Sequence, residues 1–284
     1  MLRSRSPIQA LTPADEDAAI AVCARRPDAH VFVAARIREG ALRTTPGCVL
    51  GYADRGDPLG WRSLVWTGAN VVPVEVGPDT APAFAQRLRR RSRWASSLFG
   101  PSDEVLGLWA LLSPSWGMPR AVRGSQPLMA TTVPPSELGL ALDPCVRLAG
   151  PDELDAVVPA AAAMFTEEIG YPPYVGSVAS YRRSVASLIE QRRTYVVTEG
   201  PDVVFKADVD SVALGTAQIQ GVWLAPHLRG RRRAGPAMAA VVEAVLAEHA
   251  ARASLYVNDF NVAARATYAR IGMREVGEFA TVLL

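Results

Sequence analysis

Lysine is nearly absent from this sequence: of 30 lysine and arginine residues, Lys206 is the only lysine. With abundant alanine and 22 prolines, this is a bias of composition more than a sign of function. Cysteine is scarce too. Cys23, Cys48 and Cys145 are odd in number, far apart and free of any CxxC pair, which excludes a disulfide framework and a cysteine-based zinc site. The three histidines, His30, His227 and His249, are scattered, so the sequence indicates no metal cluster, and no Ser–His–Asp motif is present. The apolar runs, such as "AVVPAAAAMF", fall short of the ~20 residues a membrane-spanning helix needs. The opening "MLRSRSPIQALTPADED" turns acidic without the apolar stretch of a secretory signal. A formal net charge of +2 argues against a general nucleic-acid binder. These absences point to a cytoplasmic protein.

What is present is enough for large cores. The 284 residues, 49% of them hydrophobic, suit two domains better than one. The chain also echoes its own opening. "IQALTPADEDAAIAVC" from Ile8 and "VRLAGPDELDAVVPAA" from Val146 each read as a short strand, a proline turn with acidic residues, and a helix. Asp15 and Asp152 stand near the helix starts, where a carboxylate can cap free N–H groups. After the first helical section come three strand-like runs, "CVLGYA", "WRSLVW" and "VVPVEV", separated by turn residues as in an antiparallel meander. The second half gives "TYVVTEG", "VVFKADVDSVAL" and "TAQIQGVWL" in the same role, then a long helix, the strand "SLYV", a short helix and the closing strand "EFATVLL". The expectation is an α/β (α+β) protein of two related tandem domains, 1–142 and 143–284. Each has a mixed, mostly antiparallel sheet flanked by helices.

Residues 227–238 read "HLRGRRRAGPAM". Behind them Met238, Val241, Val242, Val245 and Leu246 recur at helical spacing, so a core-facing helix begins at this loop. Its free N–H groups and positive dipole end gather among four arginines, a plausible pyrophosphate site. A solvated basic loop that binds nothing is the alternative. Further on, "SLYVNDFNVAARATYARIGM" places Asn258 and Asn261 between a strand and a helix, with Asn261 a natural N-cap and Gly272 a fitting C-cap.

Together the two stretches resemble the GCN5-related N-acetyltransferase (GNAT) superfamily, whose pattern is a strand leading into R/Q-x-x-G-x-G/A, followed by an asparagine, a small residue, a tyrosine and a glycine-plus-apolar ending. The layout also resembles actinobacterial two-domain members with an N-terminal domain of unknown function. The resemblance implies acetyl-CoA as co-substrate and direct acyl transfer to an amine, on a small molecule or a protein. It implies that Val222, Trp223 and Leu224 flank the pantetheine arm, that Arg229, Gly230, Arg231, Arg232, Arg233 and Ala234 surround the pyrophosphate, and that Asn258 and Asn261 lie at the cofactor. Tyr268 would protonate the departing thiolate. Glu167 and Glu168, where this fold borders the acceptor groove, are candidates for the base; Glu168 is the one chosen, a solvated helix-end carboxylate being the alternative. Arg232 departs from the family by standing in the central glycine position, and Pro236 fits only within the first turn of the helix.

The first half lacks a glycine/arginine loop and the asparagine–tyrosine pattern, so the second half is expected to carry the chemistry. The run Arg87, Arg89, Arg90, Arg91, Arg93 reads as a solvated helix face. A catalytically silent acyl-CoA sensor or interaction protein is the second functional reading, and an RNA- or DNA-associated protein a weaker third.

Overall fold

The computed structural model describes residues 7–54, 56, 60–91 and 93–284. The chain divides into two compact units, and neither is a contiguous half. The first comprises residues 1–128, 256–260 and 275–284, the second residues 129–255 and 261–274. The division expected near Asp143 is a single cut, whereas the compact units exchange segments three times more.

In the first unit β1 (Ile8–Ala10) is followed by α1 (Glu16–Cys23), α2 (Pro27–Arg38) and α3 (Ala41–Thr44). The meander expected from the sequence follows as β2 (Val49–Ala53), β3 (Trp61–Thr67) and β4 (Asn70–Val74), each antiparallel to the one before. Then come α4 (Ala81–Leu88), β5 (Ser97–Pro101), α5 (Ser102–Trp116) and β6 (Ala121–Thr131). β5 lies parallel to β4, paired only at Asn70↔Ser97 and Val71↔Leu98. Phe84 and Leu88 of α4 face a core that also takes Val105, Leu108 and Leu112 of α5. The arginine run is not merely solvated. Arg89 donates through Nε to the Leu111 carbonyl at 3.1 Å, and Arg93 reaches the carbonyls of Trp116 and Met118, both at 3.2 Å. Of these carbonyls, that of Trp116 is one that the last turn of α5 leaves open, while Met118 lies just beyond the helix.

The second unit repeats the plan. β7 (Arg147–Leu148) leads through α6 (Leu154–Ile169) and α7 (Ala179–Glu190) to β8 (Thr194–Glu199), β9 (Asp202–Ala213) and β10 (Thr216–Leu224). These four strands are antiparallel neighbours in that order. α8 (Ala234–Glu248) crosses back to β11 (Arg252–Tyr256), which lies parallel to β10, before α9 (Val262–Arg270) and β12 (Arg274–Leu283). A parallel neighbour needs such a crossover, and the helix supplies it. Val157, Val158 and Val185 pack with Ile189, Val196 and Val203 under α6 and α7.

The echoed openings fold alike, but with different carboxylates. In the first, Asp15 turns back to accept the Thr12 N–H at 2.8 Å; in the second, Glu153 rather than Asp152 accepts the Gly150 N–H, also at 2.8 Å. The proline-bearing stretch 133–144, "VPPSELGLALDP", is fastened within the second unit. Ser136 donates its N–H and hydroxyl to Glu243 of α8, at 3.0 and 2.6 Å.

The last strand is the main departure from two sequential domains. Residues 279–283 of β12 pair antiparallel with β5, in register from Phe279↔Pro101 to Leu283↔Ser97. Ala280 and Val282 are fully buried in the core of the first unit. No described helix is long and apolar enough to cross a membrane.

Candidate functional site

β10 and β11 run side by side only at Thr216↔Arg252, Ala217↔Ala253 and Gln218↔Ser254. Beyond Gln218 the register ends, and β10 continues for six residues without a partner on that edge. Its pairing with β9 shifts at the same place, once between Gln218 and Ile219 and again between Gln220 and Trp223. Gly221 within the bulge has φ +60, a left-handed conformation that glycine adopts without a Cβ penalty. The bulge takes Gly221 and Val222 out of register with β9, and the parting of β11 leaves the other edge of β10 open beyond Gln218.

Beneath the bulge lies a buried ion pair. Lys206, 1% exposed, donates to Asp208, 5% exposed, and to the Gly221 carbonyl at 3.4 Å. The other Asp208 oxygen accepts the Thr194 hydroxyl at 2.9 Å. A Cβ on Gly221 would come within 2.9 Å of Asp208 Oδ2 and 3.1 Å of Lys206 Nζ, with the Met164 methyl at 3.3 Å. Positive φ and crowding both demand glycine at this position.

The arginine loop follows β10. A short turn over Pro226–Leu228 leads to Arg229 and then Gly230 at φ +74. Arg232 sits at φ +59, so arginine here takes the left-handed backbone that the family's glycine would favour. The turn is kept at a conformational cost, which is a common condition at functional sites. α8 begins at Ala234, so Pro236 is its third residue, where a missing N–H breaks no helical bond. Among the described residues, the N–H groups of Arg232, Arg233, Ala234 and Gly235 meet no acceptor. The Arg231 and Arg232 side chains are exposed and without a partner, and Arg233 lies 3.6 Å from Glu199. Open donors at a helix N-terminus with mobile-length cationic side chains around them suit an anion of two phosphates.

Arg229 points elsewhere. Its Nε donates to the Leu224 carbonyl at 2.9 Å and its Nη2 to Glu167 at 2.7 Å. Trp223 Nε1 donates to the other oxygen of Glu167 at 3.2 Å. Of the three β10 residues expected at the pantetheine arm, Trp223 and Leu224 are thus drawn toward Glu167 and Arg229, and Val222 lies in the bulge beside Gly221.

Glu167 also lines an open cavity of about 630 Å³, walled by Ala162, Ala163 and Thr166 of α6 and by Pro172, Pro173 and Tyr174 of the following loop. Glu168, its neighbour, is exposed on the same helix end. Tyr268 is 7% exposed, and burial first, then the nearby Glu168 charge, pushes its hydroxyl well above the ordinary tyrosine range. Tyr268 therefore stays protonated at neutral pH, as an acid must.

Asn261 is the N-cap of α9, accepting the Ala264 N–H at 3.1 Å. Gly272 follows that helix at φ +90, against Leu138. Asn258 belongs to the first unit, where its Oδ1 accepts from Gln126 Nε2 at 2.9 Å.

One cluster escaped the sequence, which had the histidines scattered. In the first unit His30, Glu75 and Glu104 bring ligand-type atoms within 4.8 Å of one another. Their positive partner is Arg26, which donates to both Glu75 and Glu104. His30 is fully buried, and burial lowers its pKa. Its Nε2 donates to Glu75 at 2.9 Å, and that bond, together with Arg26, holds the Glu75 carboxyl down at about 2. Glu104 goes the other way: burial outweighs the Arg26 charge and raises its pKa to about 7. One Glu104 oxygen accepts the Val76 N–H at 2.8 Å. That carboxylate therefore closes the segment after β4 that corresponds to the arginine loop after β10. Pro73, just past the last β4–β5 pair, has no N–H to offer.

Residues 179–273 match the Acetyltransferase (GNAT) family, and residues 47–157 match a domain of unknown function, DUF4081. No curated protein matches the sequence. Among solved structures, a GCN5-related N-acetyltransferase from Sphaerobacter thermophilus is 16% identical at a TM-score of 0.58, covering 96% of this chain and 93% of that one. An acetyltransferase of the GNAT family from Colwellia psychrerythraea is 12% identical at 0.54, covering 98% and 99%. A tandem GNAT protein from the clavulanic acid biosynthesis pathway is 14% identical at 0.55, covering 97% and 98%. At these identities the likeness is one of fold, and it extends over nearly the whole chain, as the mixed α/β plan of both units requires.

Proposed function

Since residues 179–273 carry a domain of the GNAT acetyltransferase family, we propose that this chain is an acyl-CoA-dependent N-acyltransferase that uses acetyl-CoA and acts through its second unit. The observation that carries this reading is the conjunction of two features. β10 and β11 part beyond Gln218 and Ser254, and the strand that parts runs into a helix whose first N–H groups are open among arginines. An extended pantetheine arm can take the strand edge, and the pyrophosphate the helix start.

The bound thioester would supply the acyl group. A neutral amine forms the new N–C bond as the C–S bond breaks. Backbone N–H groups released by the bulge are placed to stabilise charge on the carbonyl oxygen. Glu168 is the carboxylate proposed to take the first proton of the incoming ammonium, directly or through water; Tyr268, kept protonated, gives its proton to the sulfur, and the second proton that the nitrogen sheds on becoming an amide restores the Tyr268 hydroxyl through water. Arg231, Arg232 and the N–H groups of residues 232–235 hold phosphate, while Asn261 fixes the start of α9 and so the placement of Tyr268.

The first unit supports a division of labour. In its corresponding segment Glu104 occupies the Val76 N–H, and Pro73 has no N–H to offer.

Calorimetric titration with acetyl-CoA, run beside an Arg231→Ala/Arg232→Ala variant, tests the reading. Saturable binding weakened at least tenfold in the variant is expected, followed by thiol release in the presence of an amine panel. Absence of binding at millimolar acetyl-CoA would sink it.

A further inference from the structure

Arg229 cannot serve Glu167 and a phosphate with the same donors. Its Nη2 is 2.7 Å from Glu167 Oε2, while Nε is committed to the Leu224 carbonyl. The ion pair is half open to solvent, with side chains 46% and 45% exposed. Such a pair favours its closed form by a factor of only about two to five. A phosphate arriving at the start of α8 brings at least one full negative charge to donors already gathered there, and Arg229 stands at the head of that loop.

Glu167 has a second hold that does not depend on Arg229, the indole N–H of Trp223 at 3.2 Å. It is also the only charged residue on the wall of the cavity of about 630 Å³. Ala162, Ala163, Thr166 and Glu167 share one helical face, at spacings of one and four, and the prolines and Tyr174 close the opposite side. The walls suit an apolar body, and the single carboxylate suits a cation. While Arg229 covers that carboxylate, an ammonium gains little from it.

We infer that Arg229 moves from Glu167 to phosphate when the coenzyme binds, and that this exchange uncovers Glu167 as the carboxylate that receives the ammonium of an acceptor with an apolar body. The inference rests on reading residues 229–235 as the pyrophosphate site. Trp223 keeps the carboxylate aimed while its charge is released, so the acceptor site is completed only after the coenzyme is in place. Glu167 is thus a positioning residue for the acceptor, distinct from the proton-transfer roles of Glu168 and Tyr268.

The test is calorimetric titration of the full chain and its Glu167→Gln variant with coenzyme A and, separately, with pantetheine, which has no phosphate. Glutamine keeps an oxygen for Trp223 but releases Arg229. Coenzyme A is expected to bind the variant about two to five times more tightly than the unmodified chain, with pantetheine showing no such difference. In the unmodified chain, the Trp223 indole N–H resonance, assigned by its loss in Trp223→Phe, is expected to move on addition of coenzyme A. With coenzyme A present, 2-phenylethylamine is expected to bind the unmodified chain and to lose at least most of that binding in Glu167→Gln. Equal coenzyme A affinity in the two proteins overturns the exchange alone, as does amine binding that ignores the coenzyme. Failure of coenzyme A to bind either protein overturns the functional reading and this inference with it.

Discussion

Lys206 and Asp208 stand two positions apart on β9 and form an ion pair sealed under the Gly221 bulge. Removing one partner strands a buried charge, whereas removing both leaves a space that apolar side chains can fill. Lys206→Met is expected to lose about 3–5 kcal/mol of stability in urea unfolding. The double variant Lys206→Met/Asp208→Leu is expected to recover most of that loss. A double variant as unstable as the single one would show that the pair does more than neutralise itself.

Tyr268→Phe is expected to slow thiol release about 10- to 100-fold, toward the low end for acid catalysis because a thiolate leaves readily. Coenzyme affinity should stay within about twofold, since the ring remains packed. Turnover equal to that of the unmodified chain from pH 6 to 9 would remove the hydroxyl from the reaction.

Arg232→Gly relieves a left-handed arginine at φ +59. Thermal unfolding of the variant is expected to show a gain of about 0.5–1 kcal/mol, the conformational relief less the extra freedom of glycine in the unfolded chain. Coenzyme affinity should fall at the same time, because a guanidinium is lost from the phosphate site. A gain in both would mean that the side chain obstructs the site it surrounds.

The first unit should be sensitive to pH at two points. Glu104, raised by burial to about 7, is protonated in the folded state where the unfolded chain has ionised. Its favourable contribution is full below about 4.5 and is lost as pH climbs to 7. Glu75, held down to about 2 first by His30 and then by Arg26, behaves in the opposite sense. Its contribution is full above about 4.5 and disappears as pH falls toward 2. The Glu104 effect is on the order of 2–3 kcal/mol. Unfolding temperatures of Glu104→Gln across pH 4.5 to 8 should therefore be flatter than those of the unmodified chain; parallel curves would refute the assignment.

Local chemistry was legible in the sequence where a residue acts within its own turn. Asn261 could be read as a cap, Gly272 as a helix end, and Pro236 as tolerable only near a helix start, because each depends on neighbours three or four positions away. The alternation of "FKADVD" also put Lys206 and Asp208 on one face of a strand, a signal that could have exposed the buried pair. Other contacts had no local signature. Arg229 meets Glu167 across 62 residues, and His30 meets Glu75 across 45. Arg89 and Arg93 found carbonyl partners at the end of α5 only once two helices had packed. The strand character of "EFATVLL" was plain, but its place beside β5 was not, since alternating apolar residues say which face is buried and not which edge is joined.

That placement sets the order in which the protein can be finished. β5 has β4 on one side and β12 on the other, and until residues 279–283 leave the ribosome its second edge has no strand to receive. The first unit to be synthesised is therefore the last to be completed. During translation of the intervening 177 positions between Pro101 and Phe279, the nascent chain carries an unclosed sheet edge of the kind that recruits wrong partners.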